Sequence, residues 1–361
     1  MANSSPKISV LLPVYNSTPY LRDSLESLLA QTFTDFEIIA VDDGSSDESA
    51  SVVQAYAKNE SRLRFFQNEK NIGLSATLNR ASQEAAGLYL ARHDGDDIAL
   101  PERFEKQSAF LDANPDVGVL GCQVEIIDQN GKPSGAMTFP TEHNAIAWAV
   151  FWDRPFAHPS VMMRREVLEE AGAYRPEFDR IEDIDLWMRM LPQTRFANLP
   201  SVLERYRIHP TSICQSNRGE QPRMAAQRKS EFVREAWGLE APKNIFDTLK
   251  TPRTVRPDIP ARVFIEYQVF LAEMAERMER EGILLTDAAP SPRELVARTT
   301  RVLSRCSEIS QADDLLEIGK KYLPRWLFRL VRSYLRRSSK AAKLFPDAPA
   351  KSPDHSGKGG S

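Results

Sequence analysis

Between Ile8 and about Asp128 the chain repeats one pattern: a short β-branched apolar run, a polar loop, then apolar residues every three to four positions. A strand followed by a helix meets the next strand by a crossover, and repetition of that unit builds a mostly parallel sheet flanked by helices. Strands are expected at "KISVLLPVYN", "FEIIAVDD", "LRFFQN" and "GLYLARHD". Thr18 is placed to cap the first helix, with Pro19 at its first position and Leu21, Leu25, Leu28 and Leu29 as its apolar face. Asp47 stands where an N-cap would open the second helix, and a third is expected from about Leu74. After Pro101 a further helix leads to "NPDVGVLGC" and "VEIIDQNGKP", where Asn130-Gly131 signals a turn. From Phe139 to His209 the pattern is mixed, as where returning segments complete a sheet.

Beyond about Asn217 the chain turns helix-rich, with Phe264, Tyr267, Phe270, Leu271, Met274 and Met278 spaced as a core stripe. Farther on, Leu323, Trp326, Leu327, Leu330, Val331, Tyr334 and Leu335 share one helical face and Arg325, Arg329, Arg332, Arg336 and Arg337 the other, with Pro324 breaking the start. This basic amphipathic helix fits packing on the catalytic domain, self-association, or peripheral contact with an anionic membrane surface. The reading divides the chain into an α/β catalytic domain over 1–217, a helical region over 218–345 and a tail of disordered composition over 346–361.

A formal net charge of -3 gives no general pull toward nucleic acid. Cys122, Cys214 and Cys306 stand too far apart for a zinc pattern or a disulfide framework, which suits a reducing cytoplasm. The N-terminal apolar run meets Pro13 too soon for a signal peptide. The longest uninterrupted apolar run, Ala145 to Trp152, is far short of the ~20 residues that cross a bilayer.

The stretch "LYLARHDGDDIALPERF" carries Asp94, Asp96 and Asp97 directly after a strand, and Asp42 and Asp43 end another. Ligands of open parallel sheets bind beyond the carboxyl ends of the strands, so both clusters fall on one rim. Hard carboxylate oxygens without Cys or clustered His suit Mg²⁺ or Mn²⁺, whose remaining positions go to water or phosphate. With no glycine-rich phosphate loop, metal and basic side chains would hold the phosphates.

In order along the chain, "ISVLLPVYN", "IIAVDDGSSDES", "NIGLSATLNRA", "ARHDGDDIALP", "HPSVMMRREVLEEAGAY" and "IEDIDLWMR" resemble family 2 glycosyltransferases with the A-type (GT-A) fold, over about Lys7 to Pro210. The resemblance implies a GT-A α/β fold and a nucleotide-sugar donor, most often UDP-linked. By motif it implies that Pro13, Val14 and Tyr15 line the nucleotide pocket with Asp42 and Asp94, that Asp43 accepts a hydrogen bond from the base, that Asp96 contacts ribose or metal, and that Asp97 ligates the metal. Arg80 and Arg92 become candidates for the nucleotide or phosphate environment, with a surface or fold-bracing ion pair as the alternative for each. His209, in "ERYRIHPTS", becomes a candidate metal ligand through a similar Y-R-x-H stretch in relatives.

Sugar transfer also needs an acceptor hydroxyl made nucleophilic, and a positioned carboxylate does this. Asp183, Leu186, Trp187 and Met190 stand at helical spacing, so Asp183 is expected to point inward and Asp185 elsewhere. The resemblance assigns Asp183 as base and Glu182 as a neighbour shaping the acceptor site, giving inversion at the anomeric carbon. His158 and Trp187 are acceptor-site candidates, each with a plain packing alternative. The predicted activity is a metal-dependent inverting glycosyltransferase acting on a glycan or lipid-linked glycan, as in polysaccharide biosynthesis. Rivals are a nucleotidyltransferase, which should show a glycine- and lysine-rich loop after the first strand, a phosphohydrolase or phospho-receiver, which should show an Asp there, and a non-catalytic nucleotide-sugar-binding scaffold.

Overall fold

A computed structural model describes residues 5–210, 220–248 and 261–284. The chain splits into two compact units, Met1–Gly238 with Arg277–Ala289, and Leu239–Glu276 with Pro290–Ser361. The candidate site residues all belong to the first.

Its sheet contains β1 (Ile8–Val14), β2 (Phe36–Asp42), β3 (Leu63–Gln67), β4 (Tyr89–Arg92), β5 (Ile98–Ala99), β6 (Val117–Ile127), β7 (Pro133–Met137), β8 (Met162–Arg164) and β9 (Arg195–Arg207). The order is β3-β2-β1-β4-β8-β6-β9-β5, with β7 paired to β6. Pairing is parallel through β3, β2, β1 and β4 and between β6 and β9, while β8, β5 and β7 run antiparallel to their neighbours. β1 and β2 are buried along their whole length, as near-continuous apolar runs inside a parallel sheet require. The chain leaves β1 toward β2 on one side and later returns as β4 on the other, which makes the carboxyl end of β1 a switch point where loops open a ligand crevice.

The helices are α1 (Thr18–Leu29), α2 (Ser49–Ala57), α3 (Leu74–Glu84), α4 (Arg103–Ala113), α5 (His143–Trp152), α6 (Arg165–Glu170), α7 (Glu182–Met190), α8 (Glu220–Trp237), α9 (Ile245–Thr248) and α10 (Ala261–Arg280). Leu21, Leu25 and Leu28 of α1 join Phe104 and Leu111 of α4 and the central strands in the main core. Each such side chain contributes roughly 1.5–3 kcal/mol on burial.

Thr18 is not a cap. It is the first residue of α1, and its N–H donates to Asp47 Oδ2 at 3.1 Å. Asp47 Oδ1 accepts the Ser49 N–H at 2.9 Å, so one carboxylate serves the first turns of both α1 and α2. Partial burial would raise its pKa, but the bonds from Ser49 and Thr18 prevail and hold it below the usual carboxylate value. Spacing along one helix could not reveal a cap supplied by another loop. The Asn130-Gly131 turn joins β6 to β7, with Gly131 at φ 79°.

In the second unit the Tyr267 hydroxyl donates to Lys243 O at 3.0 Å, and Phe246 meets Phe270 edge-on. The basic C-terminal helix and the tail lie outside the described residues. Among the described residues no helix is long and apolar enough to cross a membrane.

Candidate active site

Asp94, Asp96 and Asp97 follow β4, and one ligand oxygen from each lies within 4.8 Å of the others. Asp97 is fully buried: its Oδ1 accepts the Arg207 N–H at 2.8 Å, and its Oδ2 has no partner among the described residues. Burial, then the charges of Asp96, Asp94 and Glu204, push its carboxyl well above the ordinary range. An orphaned buried oxygen beside two more carboxylates suits a divalent cation with an all-oxygen preference, so these residues fit Mg²⁺ or Mn²⁺. His209 comes to the same place, with Nε2 2.8 Å from Asp96 Oδ2 and its ring 4.8 Å from that of Tyr20.

A buried basic floor supports the acids. Arg92, at the end of β4, is ion-paired with Asp94. Burial disfavours its charge, but Asp94 more than restores it, and its pKa is raised. Beneath, Arg103 of α4 donates to Glu204 Oε2 of β9 at 2.7 Å and to Arg92 O at 2.7 Å, while His93 Nδ1 lies 2.9 Å from Glu204 Oε1. Ser24 of α1 is 3.0 Å from His93 Nε2 and donates to Asp94 O at 2.9 Å. All four supports are completely buried. Buried charges persist where opposite charges meet them, and these contacts tie the end of β4 and its acidic loop to α1, α4 and β9 at once.

Along the rim, Pro13 and Val14 are buried at the end of β1, and Tyr15 stands half exposed. Asp42 and Asp43 are buried at the end of β2. Asp43 accepts from Asn68 Nδ2 at 2.7 Å and from the N–H groups of Ile72 and Gly73 at 2.9 and 3.0 Å. Asp42 Oδ2 accepts from Ser45 N–H and Gln67 Nε2, each at 3.1 Å. The Arg80 guanidinium donates to Gln67 O and Asn68 Oδ1 and lies over the Phe66 ring, so it braces the end of β3.

The N-terminal end of α7 belongs to the same neighbourhood. His158 Nε2 lies 2.9 Å from the Tyr174 hydroxyl and Nδ1 3.7 Å from Glu182 Oε1, and its ring stands edge-on to Trp187. Burial, followed by the Arg92 charge, lowers His158 to about 3, so the imidazole is neutral and its approach to Glu182 is not an ion pair. Burial raises Glu182 to about 7, and burial followed by Glu182 raises Asp183. Arg92 thus bears electrostatically on both sides, paired with Asp94 and acting on His158, Glu182 and Asp183. Trp187 is 1% exposed and packs edge-on against Phe156 and Phe196.

The segment led by Asp183 is helical, but the expected orientation of Asp185 is corrected. Asp185 is the carboxylate with no exposure, held between Arg189 Nε and Arg228 Nε at 2.8 Å each, whereas Asp183 stays partly exposed. The reason is that α8 brings Arg228 onto a second face of α7, so the helix is buried on more than one side. Sequence reasoning also missed His93, Arg103, Tyr174 and Glu204. Neither Arg103, at the start of α4, nor Glu204, in the charged stretch "ERYR", stands out in the sequence as a buried charge.

A match to the family described as Glycosyl transferase family 2 covers residues 9–172. The chain is 37% identical over 211 residues to EpsE of Bacillus subtilis, spanning 57% of this chain and 74% of that protein. It is 35% identical over 214 residues to the O-antigen biosynthesis glycosyltransferase WbnJ of Escherichia coli, covering 58% and 82% of the two chains. Among solved structures, S. aureus TarS 1–349 in complex with UDP-GlcNAc superposes with a TM-score of 0.53 at 20% identity, over 91% of each chain. The Pyrobaculum calidifontis mannosyltransferase PcManGT in complex with GDP-Man and Mn²⁺ gives 0.50 at 16%, over 92% of this chain and 87% of that one. The chain is therefore a glycosyltransferase of family 2, and its α/β fold is of the GT-A type.

Proposed function

We propose that this glycosyltransferase moves a sugar, with inversion, from a UDP-linked donor to a hydroxyl of a glycan or lipid-linked glycan. The observation that carries the proposal is the meeting of the Asp94–Asp97 cluster, Arg92 and the carboxylates that open α7. A donor diphosphate is polyanionic, and the raised charge stability of Arg92 supplies a fixed positive group beside the acids. Asp94, Asp96, Asp97 and His209 would hold Mg²⁺ or Mn²⁺, which when bound neutralises charge on the departing diphosphate. Tyr15, Asp42 and Asp43 occupy the rim where the base and ribose would sit, and the buried backbone around Asp43 holds that carboxylate still.

Asp183 is the general base of this reading. Partial exposure leaves it reachable by an acceptor, and its raised pKa makes it a better proton acceptor than a free aspartate. It takes the hydroxyl proton as the new glycosidic bond forms on the face opposite the diphosphate. Glu182 and His158 line the acceptor side. A UDP donor draws support from the UDP-GlcNAc complex of TarS, whereas PcManGT holds GDP-Man. A polysaccharide acceptor draws support from the O-antigen and amylovoran biosynthesis named for two relatives.

The test is a panel of UDP- and GDP-sugars with Mn²⁺, with and without glycan acceptors. Asp183→Asn should lower transfer by about 10²- to 10⁴-fold, with UDP affinity near that of the parent chain. Equal loss of UDP binding would overturn the base assignment, and transfer that persists in excess EDTA would overturn the metal assignment.

A further inference from the structure

We propose that Ser75 and Asn79, four residues apart on one face of α3, are positioning residues that set the catalytic end of α7, an inference that rests on the transferase reading above. They grip the segment that leads into α7. Asn79 Nδ2 donates to Tyr174 O at 2.7 Å, and Asn79 Oδ1 accepts the Tyr174 N–H at 2.9 Å. Ser75 donates twice to Asp179 Oδ1, from its N–H at 3.1 Å and from its hydroxyl at 3.0 Å.

The places where the grips fall carry the argument. Ala173 and Arg180 both lie in the left-handed region, at φ 56° and 78°, and neither is glycine. Such residues cost backbone free energy and persist only where the surroundings over-determine them. One grip adjoins each: Tyr174 follows Ala173, and Asp179 precedes Arg180. Between them Pro176–Phe178 form a short 3₁₀ turn, and two residues after Arg180 comes Glu182, then Asp183. The path of the chain into the proposed base is therefore a strained loop pinned at both ends by one helix.

That helix is also fixed to the nucleotide end of the site. The Ile72 and Gly73 N–H groups, just before α3, bond to Asp43, and Asn68 Nδ2, which donates to Asp43, also reaches Thr77 Oγ1 at 3.2 Å. Gly73 is required at this junction, because it has φ 92° and a Cβ there would lie 3.0 Å from Asp179 Oδ2. A single rigid element thus spans from the carboxylate proposed to read the base to the loop that delivers the carboxylate proposed to take the proton. Tyr174 adds a side-chain consequence, since its hydroxyl meets His158 beside Glu182.

The experiment compares the full chain with Ser75→Ala, Asn79→Ala, Asn79→Asp and Asp179→Asn. Asn79→Asp keeps the size and the acceptor for the Tyr174 N–H but loses the donation to Tyr174 O. Two measurements are made: amide hydrogen exchange without ligand, and kcat, donor KM and UDP affinity with whichever panel donor the parent chain turns over. Exchange over residues 173–185 should rise about tenfold or more in Asn79→Ala, with β1 and β2 unchanged. kcat should fall about 10- to 100-fold while donor KM and UDP affinity move less than about twofold. A merely structural role would lower UDP affinity and kcat together, and that result overturns the inference, as does faster exchange with kcat intact. Should Asn79→Ala not fold, the Asp179→Asn and Asn79→Asp chains carry the same comparison. A parent chain that turns over no donor defeats the transferase reading alone; unchanged exchange over 173–185 then still overturns the grip, and accelerated exchange upholds it.

Discussion

Replacing Glu182 by Gln should make the protein more stable at alkaline pH and leave it nearly unchanged in acid. Glu182 opens α7 at 6% exposure, and its Oε2 has no partner among the described residues. Burial is the main cause that raises its pKa from 4.5 to about 7; Asp179 and Asp94 add to it, while a local backbone bond and Arg92 restrain it. Between those two values the folded chain keeps a proton that the unfolded chain releases, so stability falls as pH rises through that window. A shift from 4.5 to about 7 corresponds to about 3 kcal/mol at full ionisation, at about 1.4 kcal/mol per pH unit. Urea denaturation of the parent chain and Glu182→Gln at pH 5 and pH 8, in metal-free buffer, reads the titration of this group together with its coupling to Asp183. The parent should lose about 2 to 3 kcal/mol more than the variant between the two pH values. Parallel pH dependences would refute the argument that this carboxyl is held in a desolvated place.

Two further perturbations test the architecture of the rim. Gly44, just after Asp43, has φ 68°, and a Cβ there would lie 2.6 Å from the backbone carbon of Lys70, so Gly44→Ala should cost about 2 to 4 kcal/mol; a thermal midpoint equal to the parent's would contradict this. Arg103→Met removes the cation from the fully buried Glu204 and should cost about 3 to 5 kcal/mol in urea titrations, and a loss under about 1 kcal/mol would mean that the pair supports little.

Periodicity along the chain determined the parallel half of the sheet. The runs at Ile8–Val14, Phe36–Asp42, Leu63–Gln67 and Tyr89–Arg92 are strands, and the helices after them begin close to where Thr18, Ser49 and Leu74 stand. The rule that ligands gather at carboxyl strand ends then put Asp43 and Asp97 on one rim without coordinates. The short strands β5 and β8, of two and three residues, were not legible, because so brief a run carries no period. That Asp185 is buried was not legible either. Helical spacing fixes the angles between Asp183, Asp185 and Leu186, but the neighbours decide which faces are covered, and Arg228 arrives from α8. The same limit hid the Arg103–Glu204 pair, whose members lie 101 residues apart. A charge enters the interior only when an opposite charge meets it there, and that meeting is a property of the folded chain, not of either local stretch.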